Sequence, residues 1–193
     1  EIGVRLVGSE MCIRDRFHNG NEMGVRRTAD YPNHTITWCL PYRRGTLVAK
    51  GINGTDTVAV HEIRTAGDAV RLKATADRGK LMADGQDLSY VQVELLDKDG
   101  TLVQHADRHV KASIEGEGCL VGFISSDLRR KTPFTSHEDK TYFGRAMAIV
   151  QSTRKAGTIR LRFDVEGWDE PVWVELTSEA LPKDYVSDIP SFR

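Results

Sequence analysis

The chain is short of almost everything that announces a function. Its three cysteines, Cys12, Cys39 and Cys119, stand far apart, so neither a disulfide framework nor a Cys-based zinc site has the paired spacing it needs. Cys39 and Cys119 fall in apolar, strand-like runs and are expected to be buried thiols. Charge of either sign is not in excess: 27 Lys and Arg face 28 Asp and Glu, a net charge of −1. That balance removes the electrostatic footprint of a nucleic-acid binder. No apolar run approaches the ~20 residues of a membrane-spanning helix, so membrane insertion is not expected. Nucleophile elbow, phosphate loop and dinucleotide fingerprint are all missing. No long segment carries apolar residues at a 3.6-residue period with a cap, so helices are not expected either. No catalytic, cofactor-binding or metal-ligating residue is assigned.

What the chain does have is short alternating runs between turn residues, with a charged fraction of 28% and a hydrophobic fraction of 39%, as in a globular protein. Thr35-Ile36-Thr37-Trp38-Cys39-Leu40 alternates and stops at Pro41. Residues 46–50 and 57–63 flank Asn53-Gly54, a dipeptide whose tolerance of positive φ marks a hairpin. Thr65-Ala66-Gly67-Asp68 is small and polar, a boundary between strand groups. Beyond it come seven strands: Val70 to Ala74, Tyr90 to Leu95, Val110 to Ile114, Cys119 to Ile124, Ala146 to Val150, Thr158 to Val165 and Pro171 to Leu176. The run at Cys119 is uniformly apolar, as for a strand covered on both faces, and Thr158 to Val165 keeps strict period two. Seven strands in about 110 residues predict an all-β fold, an immunoglobulin-like β-sandwich preceded by a truncated β-sandwich domain.

The opening stretch reads differently. Val7-Gly8-Ser9-Glu10-Met11-Cys12-Ile13-Arg14-Asp15 looks like a DNA sequencing adapter translated as codons, and it has neither the apolar core nor the cleavage site of a signal peptide. The expected layout is an adapter-derived, disordered segment over 1–16, the C-terminal part of a truncated accessory β-domain over 17–66, the sandwich over 67–178 and a tail or linker over 179–193. With about three strands, 17–66 is not expected to bury itself alone.

Candidate chemistry is thin. Six histidines invite a metal reading, but His105 and His109 would lie about 13 Å apart along a strand, and no HExxH helix is present. Asp84, Asp87, Asp97 and Asp99 sit in turn sequences where carboxylates cap backbone amides. The irregular stretch 125–143 combines Arg129, Arg130 and Lys131 with Phe134, Tyr142 and Phe143. Arg129, Arg130, Phe134 and Tyr142 are therefore candidates to contact a glycan or a partner surface. Trp168, in a Gly-Trp-Asp turn, is the candidate sugar-stacking ring, whereas Trp173 in the last strand is expected to be buried. Asn33-His34-Thr35 and Asn53-Gly54-Thr55 are glycosylation sequons only in a eukaryotic secretory setting.

Several strings together resemble one family. Tyr31-Pro32-Asn33-His34-Thr35-Ile36-Thr37-Trp38, Pro41-Tyr42, Gly45-Thr46-Leu47 and Thr65-Ala66-Gly67 are similar to the accessory β-domain that follows the catalytic barrel in bacterial family 2 glycoside hydrolases. Ala83-Asp84-Gly85-Gln86-Asp87-Leu88-Ser89-Tyr90-Val91, Asp97-Lys98-Asp99-Gly100 and Tyr142-Phe143-Gly144-Arg145-Ala146-Met147-Ala148-Ile149-Val150 resemble the adjoining C-terminal immunoglobulin-like domain. The resemblance covers about 17–178. It implies a parent of β-galactosidase or β-glucuronidase type, whose catalytic and sugar-binding domains are this chain's partners, with polysaccharide as a further partner. It also implies a bacterial periplasmic or secreted location. The family's two catalytic glutamates match no position here, so this chain alone is expected to be non-catalytic. Two alternatives belong to other classes. A tandem immunoglobulin-like adhesin would show internal repeats, which the two halves lack, and a carbohydrate-binding module would need exposed ring side chains such as Trp168.

Overall fold

A computed structural model describes residues 13–182. The chain divides between Thr65 and Ala66 into two units. The first is a four-stranded antiparallel sheet built from β1 (Ile13–His18), β2 (Asn21–Arg27), β3 (Thr46–Asn53) and β4 (Asp56–Arg64), in the order β2-β1-β3-β4. Asn19 and Gly20, both at positive φ, turn β1 into β2, and Gly54 does the same between β3 and β4. Both are the dipeptide that a tight hairpin demands. Gly45 is required for a different reason. Its φ is +140°, and a Cβ there would collide with the Asn19 side chain, which accepts the Thr46 amide at 2.8 Å.

Two expectations for this unit need correction. Ile13 to Arg16, assigned above to a disordered leader, are the start of β1 and pair with β2 and β3. A ladder is made by backbone groups, so it accepts a strand whatever side chains that strand carries. The adapter-like residues 1–12 lie outside the described residues. Residues 35–40 are extended but join no ladder. Trp38 instead lies across the sheet between two guanidinium groups, Arg16 at 4.6 Å and Arg26 at 4.8 Å from its ring, and Arg26 Nη1 donates to the Thr37 carbonyl at 2.7 Å. On this unit Trp38 and Ala49 are the buried apolar side chains, while Val25, Val58 and Val60 are exposed.

The second unit is a sandwich of two sheets. β8 (His109–Gly116), β12 (Gly157–Val165) and β13 (Val172–Glu179) form one, flanked by the short strands β10 (Glu138–Lys140) and β6 (Lys80–Met82), in the order β10-β8-β12-β13-β6. The other runs β5-β7-β11-β9, from β5 (Arg71–Ala76), β7 (Leu88–Leu96), β9 (Gly118–Ile124) and β11 (Arg145–Ser152). The inward residues of each strand meet in one core: Val91, Val93 and Leu95 of β7, Ala148 and Val150 of β11, and Ile159, Leu161 and Phe163 of β12, all fully buried. Phe123 and Phe163 bridge the two sheets with ring centres 6.2 Å apart. Strict alternation makes this possible, because period two sends every second side chain to one face.

All seven expected strands are present, together with the three-residue β6 and β10. The unit has two sheets, so the outer face of β9 is not covered as its apolar run suggested: Cys119 and Val121 are exposed. Cys39 is likewise at the surface, and the expectation of two buried thiols fails. Val70 is exposed just before β5, while Leu72 turns inward. Glu179, placed above in the tail, ends β13; residues 183–193 lie outside the described residues. Among the described residues no helix is long and apolar enough to cross a membrane.

Candidate functional site

The stretch 125–143, singled out for its basic and aromatic residues, is held by a buried ion pair. Arg130 Nη2 donates to Asp139 Oδ2 at 3.1 Å, with both side chains more than nine-tenths buried, and to the Pro133 carbonyl at 3.2 Å. The same Asp139 oxygen accepts from the Ser125 amide and hydroxyl, each at 3.2 Å. Asp139 therefore joins the two ends of the loop, and Arg130 ties the middle of the loop to it. Its Nε and Nη1 are buried without a hydrogen-bond partner, so this pair is tense as well as central.

Arg129 points the other way. It is exposed, forks onto Asp127 at 3.0 and 3.2 Å, and its guanidinium lies 5.9 Å from the Tyr142 ring. Hydrogen bonding to Asp127 raises the Arg129 pKa and lowers that of Asp127. Leu128 beside it is fully exposed, at 99%. Phe134, 69% exposed, covers Arg130 with its ring 4.8 Å away. Tyr142 is half-buried and meets Phe143 edge-on at 4.5 Å. Phe143 and Gly144 both sit at positive φ in a tight turn, and a Cβ on Gly144 would strike the Val103 carbonyl.

The two sandwich tryptophans differ in exposure from what was expected of them. Trp168 is half-buried and packs on the core, because the turn at Gly167, φ +80°, folds it back over the end of the sandwich, where its amide donates to the Val165 carbonyl. Trp173 is 48% exposed on the outer face of the five-stranded sheet. Strand parity carries that signal: Val172, Val174 and Leu176 turn inward, so Trp173 between them must turn out.

The turn carboxylates Asp84, Asp87 and Asp97 cap amides as expected. Asp97 accepts the amides of Asp99, Thr101 and Gly67 at 2.8–3.0 Å, and these bonds, the one from Gly67 foremost, hold its carboxyl below the usual range. Asp84 accepts the Gln86 and Asp87 amides. Among the described residues no group of three His, Cys, Asp or Glu side chains is placed to hold a metal ion. The first unit has a cleft of about 630 Å³ lined by Arg16, His18, Trp38, Tyr42, Leu47 and Ile63, among others. Burial, with Arg26 close by, lowers the Arg16 pKa.

The model of glycoside hydrolase family 2 C-terminal domain 5 matches residues 72–172, just over half of the chain and the span from β5 to β13. The chain belongs to this family. It is an accessory domain of the glycoside hydrolase family 2 lineage, and relatives agree. It is 32% identical over 86% of its length to the β-galactosidase BoGH2A of Bacteroides ovatus, and 34% identical over 60% to a β-galactosidase of Thermoanaerobacter pseudethanolicus. A solved structure of a glycosyl hydrolase family 2 member from Bacteroides cellulosilyticus superposes with a TM-score of 0.82 at 28% identity, over 86% of this chain. The chain spans 19%, 14% and 21% of those three proteins, respectively.

Proposed function

We propose that this chain is the C-terminal accessory region of a bacterial enzyme that hydrolyses β-galactosides, and that it contributes structure rather than catalytic groups. The observation that carries the reading is the identity with a β-galactosidase over 86% of this chain and only 19% of that enzyme. Catalytic and sugar-binding domains of the parent are its partners. The outer face of the sandwich sheet β5-β7-β11-β9 supports docking of this kind. Tyr90 and Val121 are exposed there, beside the partly exposed Met147 and Ile149, with Ile149 directly opposite Tyr90. The reading extends to export into the periplasm or medium, which fractionation of the source cells would check.

Residues 13–16, in the same proposal, stand where the native protein has others. Asp15 Oδ1 and Arg16 Nε are buried without partners, and the remaining such side-chain atoms among the described residues belong to Arg130. A native strand rarely leaves buried polar atoms unsatisfied on two successive residues.

Long-read sequencing through the 5′ end of the gene tests both parts. An upstream frame encoding a barrel with two suitably placed glutamates, and apolar residues in place of Asp15 and Arg16, is the expected result. A frame of further immunoglobulin-like repeats would overturn the reading. So would turnover of a nitrophenyl galactoside by the purified 193-residue chain.

A further inference from the structure

The outer face of the five-stranded sheet is charged, and among the described residues its strands carry one large exposed apolar side chain, Trp173. Arg162 stands directly across from it on β12, with its guanidinium 5.8 Å from the indole. Arg162 is held from the other side by Asp164, which accepts its Nε and Nη2 at 3.0 and 2.7 Å. In the adjacent row Arg160 Nε donates to Glu175 at 3.1 Å. Ser113 of β8 completes the row through Arg162 and Trp173. β6 pairs with Thr177–Glu179 only, so beside Trp173 the edge of β13 carries no strand among the described residues.

We infer that this row binds a chain of neutral hexopyranose sugars, with one ring stacked on Trp173 and its hydroxyls bonded to Arg162, Asp164 and Glu175. A pyranose has an apolar C–H face and a rim of hydroxyls, and an indole framed by carboxylates and guanidinium groups presents the complement of both. Charge selects the class. On this face Lys111, Arg160 and Arg162 stand against Glu115, Asp164 and Glu175, so no surplus positive charge is left for a carboxylated sugar. A protein partner fits less well, since interfaces are anchored by clusters of apolar side chains around the central residue, and none surrounds Trp173. Within the neutral sugars, galactose presents its C3, C4 and C5 hydrogens on one face. That choice of sugar rests on the β-galactoside reading of the parent; the surface itself does not.

Affinity electrophoresis of the whole 193-residue chain, through gels containing soluble β-1,4-galactan or a soluble β-glucan, tests the inference. The chain should be retarded in galactan, and Trp173→Ala should weaken binding by about tenfold or more. Trp173→Phe should keep part of the retardation. Tyr90→Ala, on the opposite outer face, should migrate as the unaltered chain does. A thermal melt of Trp173→Ala at the unaltered midpoint excludes loss of fold as the cause. Trp173-dependent retardation in glucan alone would support the sugar surface while counting against a β-galactoside parent. Absence of retardation in both gels, or retardation that survives Trp173→Ala, would overturn the inference.

Discussion

Replacing Arg16 by leucine should stabilise the first unit. Arg16 is 3% exposed, its Nε lacks a partner, and a second guanidinium, that of Arg26, shares its aromatic platform on Trp38. An unsatisfied buried donor costs about 1–3 kcal/mol, and a buried leucine contributes about 1.5–3 kcal/mol. Against these stands the stacking of Arg16 on Trp38, worth about 2 kcal/mol where it is desolvated. The net expectation is a gain of about 2 kcal/mol. Hydrogen exchange read by mass spectrometry would register this as about 30-fold greater protection in β2 and β3, the two ladder partners of β1. Exchange in the second unit should not move, which makes it the internal control. Protection that falls in Arg16→Leu would refute the reasoning. It would mean that the guanidinium stabilises the sheet through Trp38 and that Arg16 is at home there.

Phe163→Ala removes a fully buried ring that meets Phe123 across the sandwich and should cost about 3–5 kcal/mol in urea unfolding; a loss below about 1 kcal/mol would deny that this pair closes the core. Asp97, whose carboxyl is held low by three amides, stabilises the fold above the unfolded value of about 3.9, and that contribution is lost as pH falls through the lower folded value. Asp97→Asn should therefore be less stable at pH 7 and show a shallower loss on acidification, and equal slopes in urea titrations at pH 7, 4 and 3 would contradict this. Asp139→Ala strands a buried guanidinium and should cost about 3–5 kcal/mol, more than Arg130→Met, which removes two unpartnered nitrogens and leaves Asp139 bonded to Ser125. The reverse order would sink the account of the loop.

Alternation was enough to find the seven long strands of the sandwich, since each needs only its own period-two pattern to be seen. β6 and β10 were not legible because three residues cannot display an alternation. Residues 35–40 alternate for a sound physical reason, one buried side at Trp38. Periodicity reports which side is buried, and it is silent on whether a neighbouring strand supplies a ladder. Arg130 shows the same limit for charge. Arg129-Arg130-Lys131 reads as one solvated run, yet the turn at Asp127, closed by the Arg130 amide at 3.2 Å, sends Arg129 out and leaves Arg130 inside with Asp139.

The tryptophans bring these limits to a point. A ring in a turn reads as exposed and a ring in a strand as buried, but in a sandwich parity decides, not element type. Trp168 caps the core because its turn folds back onto β12. Trp173 is exposed because its strand neighbours Val172 and Val174 fill the inside. The same parity sorts the two outer faces. On the β5-β7-β11-β9 sheet it brings Tyr90, Met147 and Ile149 out together, an apolar surface suited to another domain. On the five-stranded sheet it brings out Lys111, Glu115, Arg160, Arg162, Asp164 and Glu175 around a single indole. A sheet surface of the second kind has too little apolar area to hold a protein domain and sufficient hydrogen-bonding groups to hold a sugar. If the accessory domain both docks and binds, the two tasks fall on opposite faces, and Tyr90→Ala and Trp173→Ala should separate them.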